Sequence, residues 1–451
     1  MLTEGRTIAA VSTPKGKGGV ALIRISGEKA IETAEKCFRC RGGLSSVSAN
    51  TAVYGVFYDD GERFDDGIAT VFRAPNSFTG EDTVELCCHG GVLVTQKLLG
   101  AVLKSGACMA AAGEFTKRAF LNGKITLSQA EAVGGIIDAK TERALSINAF
   151  HGKGALSEKI NKILDDLKLL VASVYAYIDY PDEDLTDVSV DEMKKILDDN
   201  IDKLKRLSES YKYGKAVSEG IKTAIIGLPN AGKSSVLNML AASDRAIVTD
   251  IPGTTRDVIT ESVVVGDVLL DLSDTAGIRD DAGTIEAIGV KKSRECMENA
   301  ELILFVVDGT QADDPKAVRL YEEMKMAGKP FITVVNKKDI ASPGKHTFEN
   351  AVEISALTGE GFDALARKIG EFCLASDFGA DNGIILNARQ NASVYAAKAA
   401  LESARASLDS FTQDIACADI EEAIGALCEL DGKKVSEEIV NEIFSHFCVG
   451  K

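Results

Sequence analysis

The sequence predicts a multidomain α/β and α protein: an N-terminal α+β domain, a helical domain, and a P-loop α/β domain inserted into the helical one. Three observations predict it. Residues 222–374 alternate apolar strands with amphipathic helices. Helical periodicity fills the chain on both sides of that stretch. The segment Gly227-Leu-Pro-Asn-Ala-Gly232-Lys233-Ser234 fits GxxxxGK[ST] and sits between a strand and a helix, the context that motif requires.

The elements follow in order. Runs at 20–25, 53–57 and 68–72 read as strands separated by Gly-rich turns, and 92–103 has helical spacing. From about 126 to 215 an apolar stripe recurs at helical intervals, including Ile160, Ile163, Leu164, Leu167 and Leu170. Tyr180-Pro181 breaks it, and Ser189 reads as the N-cap of a helix through 207. Strands are expected at 223–226, 268–272, 302–307, 331–335 and 351–354, with helices at 233–240, 317–326 and 362–372. Helices return at 394–408, 419–430 and 436–444. The expected domains are 1–118, 119–216 and 377–451 as two parts of one helical domain, and 217–376 between them.

Composition bounds the function. The chain has 451 residues, or roughly three domains at about 150 residues each. With 51 Lys+Arg against 68 Asp+Glu, the net charge is −17, which argues against coating nucleic acid by charge alone. No apolar run is long enough to span a membrane, and residues 1–6 do not begin a signal peptide, so a cytoplasmic protein is expected. Ten cysteines without disulfide-like spacing fit reduced thiols. Cys37-x-x-Cys40 and Cys87-Cys88-His89 could together form a zinc site; the plainer reading is free thiols.

The P-loop glycines let backbone N–H groups approach phosphate, Lys233 neutralises it, and Ser234 can ligate Mg²⁺. Downstream, Asp274-Thr275-Ala276-Gly277 follows a strand and can meet Mg²⁺ through water and the γ-phosphate through a Gly N–H. Asn336-Lys337-Lys338-Asp339 follows another strand. A carboxylate at Asp339 can accept from guanine N1–H and the exocyclic amine, and adenine cannot donate both. Ser355-Ala356-Leu357 supplies a contact to the base edge. Between P-loop and DxxG, Gly253-Thr254-Thr255-Arg256-Asp257 reads as the switch loop. Where small signalling GTPases carry a water-orienting Gln after DxxG, this chain has Ile278. Glu286 could orient water instead, or be an ordinary solvated carboxylate.

Gly227-Leu-Pro-Asn-Ala-Gly-Lys-Ser-Ser235, Gly253-Thr-Thr-Arg-Asp257, Asp274-Thr-Ala-Gly-Ile-Arg279, Ala74-Pro-Asn-Ser-Phe-Thr-Gly-Glu-Asp82, His89-Gly-Gly91, residues 113–124 and Phe447-Cys448-Val449-Gly450-Lys451 resemble the tRNA-modification GTPase MnmE (TrmE) family over essentially the whole chain. The resemblance implies an N-terminal folate-binding-type domain that also forms a homodimer, a helical domain, and an inserted Ras-like P-loop GTPase domain. It implies that the FAD-dependent partner MnmG joins in a heterotetramer. Together they add an aminomethyl or carboxymethylaminomethyl group at carbon 5 of the tRNA wobble uridine, with the one-carbon unit coming from a 5-formyl-tetrahydrofolate type folate. GTP hydrolysis is implied to use Mg²⁺ and K⁺.

Residue by residue, the resemblance makes Asn230, Thr249, Ile251 and Thr254 the K⁺ ligands, Ser234 and Thr255 the Mg²⁺ ligands, and Glu286 catalytic beside Lys233. Ala231, Gly232, Ser235, Asp250 and Pro252 complete the nucleotide shell. Arg24, Glu85, Lys124 and Lys451 match the folate site, and Cys448 matches a cysteine needed for modification. Cys448 stands fourth from Lys451, but Lys451 and the lack of a polybasic run make prenylation a poor fit. The main alternative is an RNA-binding ribosome-assembly GTPase. Gly16-Lys17-Gly18-Gly19 superficially fits a GxxG nucleic-acid loop, yet lacks the surrounding helical pattern.

Overall fold

The computed structural model describes residues 5–180, 189–242, 261–272, 299–341, 346–373, 383–410 and 412–450. The chain forms two compact units: residues 1–134 with 428–451, and residues 135–427.

The first unit is built on a seven-stranded sheet. Its strands are β1 (Ile8–Val11), β2 (Val20–Ser26), β3 (Phe38–Cys40), β4 (Thr51–Asp59), β5 (Glu62–Phe72), β6 (Thr83–His89) and β7 (Cys108–Met109). Their order is β3-β4-β5-β6-β2-β1-β7, antiparallel throughout except for the β1–β7 pair. Side chains alternate along each strand, so one residue set faces inward. Ile23, Ile25, Val84, Leu86 and Val71 face a core shared with α1 (Ala30–Cys37) and α2 (Val92–Lys104). The same alternation puts Arg24 and Glu85 on the opposite face, opposite each other in the β2–β6 register. The helix α3 (Glu114–Leu121) follows, and Phe115 packs with Ile8, Ala10 and Ala110.

The start of α4 (Leu127–Asp138) and the last helix of the chain also belong to this unit. Leu127 and Ala130 share a small core with Val440 and Phe444. The stretch 377–451 is therefore divided: residues from Cys428 onward pack with the N-terminal sheet.

The second unit begins with α5 (Glu142–Gly152), α6 (Ala155–Asp179) and α7 (Val190–Ser218). Ser189 caps α7 in a reciprocal box with Glu192. The helix runs past the expected end at 207 because Tyr213, Ala216 and Val217 are buried, which prolongs its apolar stripe. A six-stranded sheet comes next: β8 (Ile221–Ile226), β9 (Glu261–Val265), β10 (Val268–Leu272), β11 (Leu302–Asp308), β12 (Phe331–Asn336) and β13 (Val352–Glu353). The order β13-β12-β11-β8-β10-β9 is parallel apart from β9. Leu302–Val307 is apolar at every position because a parallel strand is covered on both faces. The helices α8 (Lys233–Ala242), α9 (Pro315–Ala327) and α10 (Phe362–Cys373) accompany the sheet.

After the sheet come α11 (Ala388–Ser407) and α12 (Gln413–Leu430), with α13 (Glu437–Ser445) closing the chain in the first unit. The helices on either side of the sheet meet. Arg405 donates to Asp198 at 3.1 Å, Ser208 donates to Asn391 at 3.1 Å, and a Cβ at Gly214 would lie 1.9 Å from the Ile385 carbonyl oxygen. This is a P-loop α/β domain inserted between helices that pack together. Among the described residues no helix is long and apolar enough to cross a membrane.

The candidate nucleotide site and a braced carboxyl segment

Strands β8, β11, β12 and β13 are parallel neighbours, so the loops at their carboxyl ends collect at one edge of the sheet, where α/β sheets bind ligands. The P-loop leaves β8 at Gly227. A Cβ there would lie 2.1 Å from the Val306 carbonyl oxygen, so only glycine lets the loop lie on β11. Asn230 and Gly232 adopt left-handed φ values of 61° and 92° and turn the chain into α8. The backbone N–H groups at a helix start suit an anion. The Lys233 ammonium donates to the Leu228 carbonyl at 3.0 Å within the same loop. Asn230 is exposed at the loop tip, and Ser234 lies in the first turn of α8.

Asn336 ties this loop to the base-reading loops. It is buried; its Nδ2 donates to Ala231 O at 3.1 Å, and its Oδ1 accepts from Ala356 N at 2.9 Å. The residue grouped by sequence with the nucleotide contacts thus spends its amide on the protein, bracing the P-loop against 355–356. Asp339 is exposed, and its Oδ1 accepts from Ser355 Oγ at 2.6 Å, which orients the carboxylate. Leu357 is exposed.

Lys337 also has a partner that the sequence did not reveal. Its ammonium lies 2.6 Å from Asp308 Oδ2 at the end of β11. Burial pushes the Asp308 carboxyl up, but hydrogen bonds from Lys337 and Thr310 outweigh it and hold the group below its ordinary value. The only sequence signal was an apolar run ending in Asp308-Gly-Thr.

In the first unit, Arg24 Nη2 and Nε donate to Glu85 Oε1 at 2.7 and 2.9 Å, and the guanidinium lies 5.7 Å from the Phe115 ring centroid. Segment 448–450 docks against this place. Gly113 N donates to Cys448 O at 3.3 Å, and Val449 forms an antiparallel bridge with Ala112. The Gly450 carbonyl accepts from Ser12 Oγ at 2.9 Å and from Arg24 Nη1 at 3.5 Å. The structure thus joins Arg24, Glu85 and the Cys448 segment, whereas Lys124 donates to the Pro75 carbonyl at 2.8 Å. A partly buried guanidinium–carboxylate pair, with both bonds on a single Glu85 oxygen, suits a heterocycle bearing both donors and acceptors.

The zinc alternative finds no support: among the described residues no group of three His, Cys, Asp or Glu could hold a metal. Burial pushes the Cys37 thiol up to about 12 and the Cys88 thiol to about 11, which disfavours thiolates there. Cys448 is exposed. The switch loop with Thr249, Asp250, Ile251, Pro252, Gly253, Thr254 and Thr255, the 274–277 motif, Glu286 and Lys451 lie outside the described residues.

Known proteins match this chain end to end. A family model described as the MnmE helical domain matches residues 127–448, and one described as the GTP-binding protein TrmE N-terminus matches 7–124. The tRNA modification GTPase MnmE of Carboxydothermus hydrogenoformans is 42% identical over 463 residues, covering 99% of each chain. That of Caldicellulosiruptor saccharolyticus is 40% identical over 459 residues, covering 99% of this chain and 100% of its own. That of Clostridioides difficile is 39% identical over 456 residues, covering 99% of each. With an inserted P-loop domain, an N-terminal sheet and a matching helical domain, the chain belongs to the MnmE family of tRNA modification GTPases.

Proposed function

We propose that this protein hydrolyses GTP to drive tRNA wobble-uridine modification at carbon 5, acting in the cytoplasm as a homodimer with MnmG. The observation that carries the nucleotide half is the Asn336 brace, which links the P-loop through 355–356 to the Asp339 loop. Within these linked loops Lys233 and the N–H groups at the start of α8 meet the phosphates, and Asp339 accepts from guanine. Preorganised donors need no rearrangement when charge develops on the β–γ bridge. Ser234 with Thr255 would hold Mg²⁺, which neutralises phosphate charge. Asn230 with Thr249, Ile251 and Thr254 would hold K⁺, adding one positive charge where no arginine finger is assigned. Glu286 would orient the attacking water.

The modification half rests on family membership and on the docked 448–450 segment. Arg24 and Glu85 would hold the folate, which supplies the one-carbon unit, and Cys448 would act from the segment whose Gly450 carbonyl meets Arg24. An overall charge of −17 leaves tRNA affinity to local basic residues and to MnmG. Turnover of GTP by the purified protein in KCl against NaCl tests the nucleotide half. We expect K⁺ to be faster by about tenfold or more, equivalent to about 1.4 kcal/mol of barrier. Equal rates in the two salts would remove the K⁺ assignment.

A further inference from the structure

Asp308 is the register partner of Asn336 across β11 and β12, so the two loops after these strands start side by side. The Asp308 carboxylate meets three donors. Thr310 N and Thr310 Oγ donate to Oδ1 at 2.9 and 2.7 Å, and Lys337 Nζ donates to Oδ2 at 2.6 Å. The loops are pressed together at Gly309: a Cβ there would lie 2.7 Å from the Asn336 carbonyl oxygen and 2.9 Å from Ala341 Cβ. Lys337 itself holds a left-handed φ of 67°, a costly conformation for a residue with a side chain, so the surroundings must enforce it.

We propose that Asp308 is a positioning residue for the guanine site, fixing Lys337 between the Asn336 brace and the base-reading Asp339. The inference rests on the GTP reading above. Its physical content is twofold. The pair cancels the charge that Lys337 would bring beside Asp339, leaving that carboxylate available to the base. It also fixes a rotamer-rich side chain before the nucleotide arrives, so binding does not have to order it. Asp308 acts through Lys337 and needs no contact with the nucleotide.

The test is fluorescent GDP binding and dissociation by the full-length protein. Asp308→Asn and Lys337→Met should each weaken GDP about tenfold, mainly through faster dissociation. The double variant should be about as weak as either single one, because the two residues act as a unit. Asp308→Glu should recover part of the loss, and the preference for guanine over adenine nucleotides should survive in all. Unchanged GDP affinity in Asp308→Asn would overturn the proposal, as would losses that simply add in the double variant. A lowered thermal midpoint with unchanged affinity in Lys337→Met would overturn it too, since Asp308 would then be merely structural. Failure of the GTP reading shows separately: the unmodified protein would not bind GDP, or Asp339→Asn would not shift preference toward xanthine nucleotides.

Discussion

Replacing Gly232 by alanine is expected to weaken GTP binding by at least about 30-fold, or about 2 kcal/mol. Two effects add. Gly232 has φ +92°, where a side chain costs about 1–2 kcal/mol. A Cβ there would also lie 2.1 Å from Asn336 Nδ2, well inside contact distance. The Asn336 amide is buried and bonded at both ends, so it cannot step aside without leaving Ala231 O or Ala356 N unpaired. An unpaired buried group costs about 1–3 kcal/mol more. Titration with a fluorescent GTP analogue measures the loss, and a thermal melt separates it from unfolding. Wild-type affinity in Gly232→Ala would mean that the P-loop is not held by the Asn336 brace.

The second large effect belongs to the other unit. Gly450→Val should abolish tRNA modification while leaving GTP turnover within about twofold, the range of a substitution remote from a site. Gly450 has φ +97°, and a Cβ there would lie 2.3 Å from the Val11 carbonyl oxygen. Valine must push the segment away from Ser12 and Arg24, and Cys448 moves with it. Cys448→Ser should give the same separation of activities without moving the segment. Both variants are read by nucleoside analysis of complemented cells together with phosphate release by the purified protein. Normal modification in Gly450→Val would show that the docked segment is dispensable.

These two sites differ in how far the sequence discloses them. The P-loop and Asp339 are legible because their chemistry is local: contiguous residues between a strand and a helix. Strand 302–307 is legible because full burial demands an unbroken apolar run, and 331–335 because its run is apolar but for the β-branched Thr333. Strand β6 escapes such reading, since Glu85, Cys87 and His89 on its less buried face interrupt the pattern. Helix α3 is short and opens from the left-handed Gly113, so it offers no capping side chain. The Arg24–Glu85 pair joins residues 61 apart through strand register, and register emerges only when the sheet forms. Asp308 reaches Lys337 in the same way, across β11 and β12. The resemblance to the MnmE family supplies Arg24 and Glu85 as a matched set; the structure adds that they are bonded to each other and that Arg24 also donates to the Gly450 carbonyl.

The most direct test of the central claim is nucleoside analysis of tRNA from cells lacking this gene. The account predicts that wobble uridines lose their carbon-5 aminomethyl-type groups, that the intact gene restores them, and that a Lys233→Ala copy does not. Wobble uridines that stay fully modified without the gene, or that the Lys233→Ala copy restores, would contradict a modification driven by this chain's GTP hydrolysis.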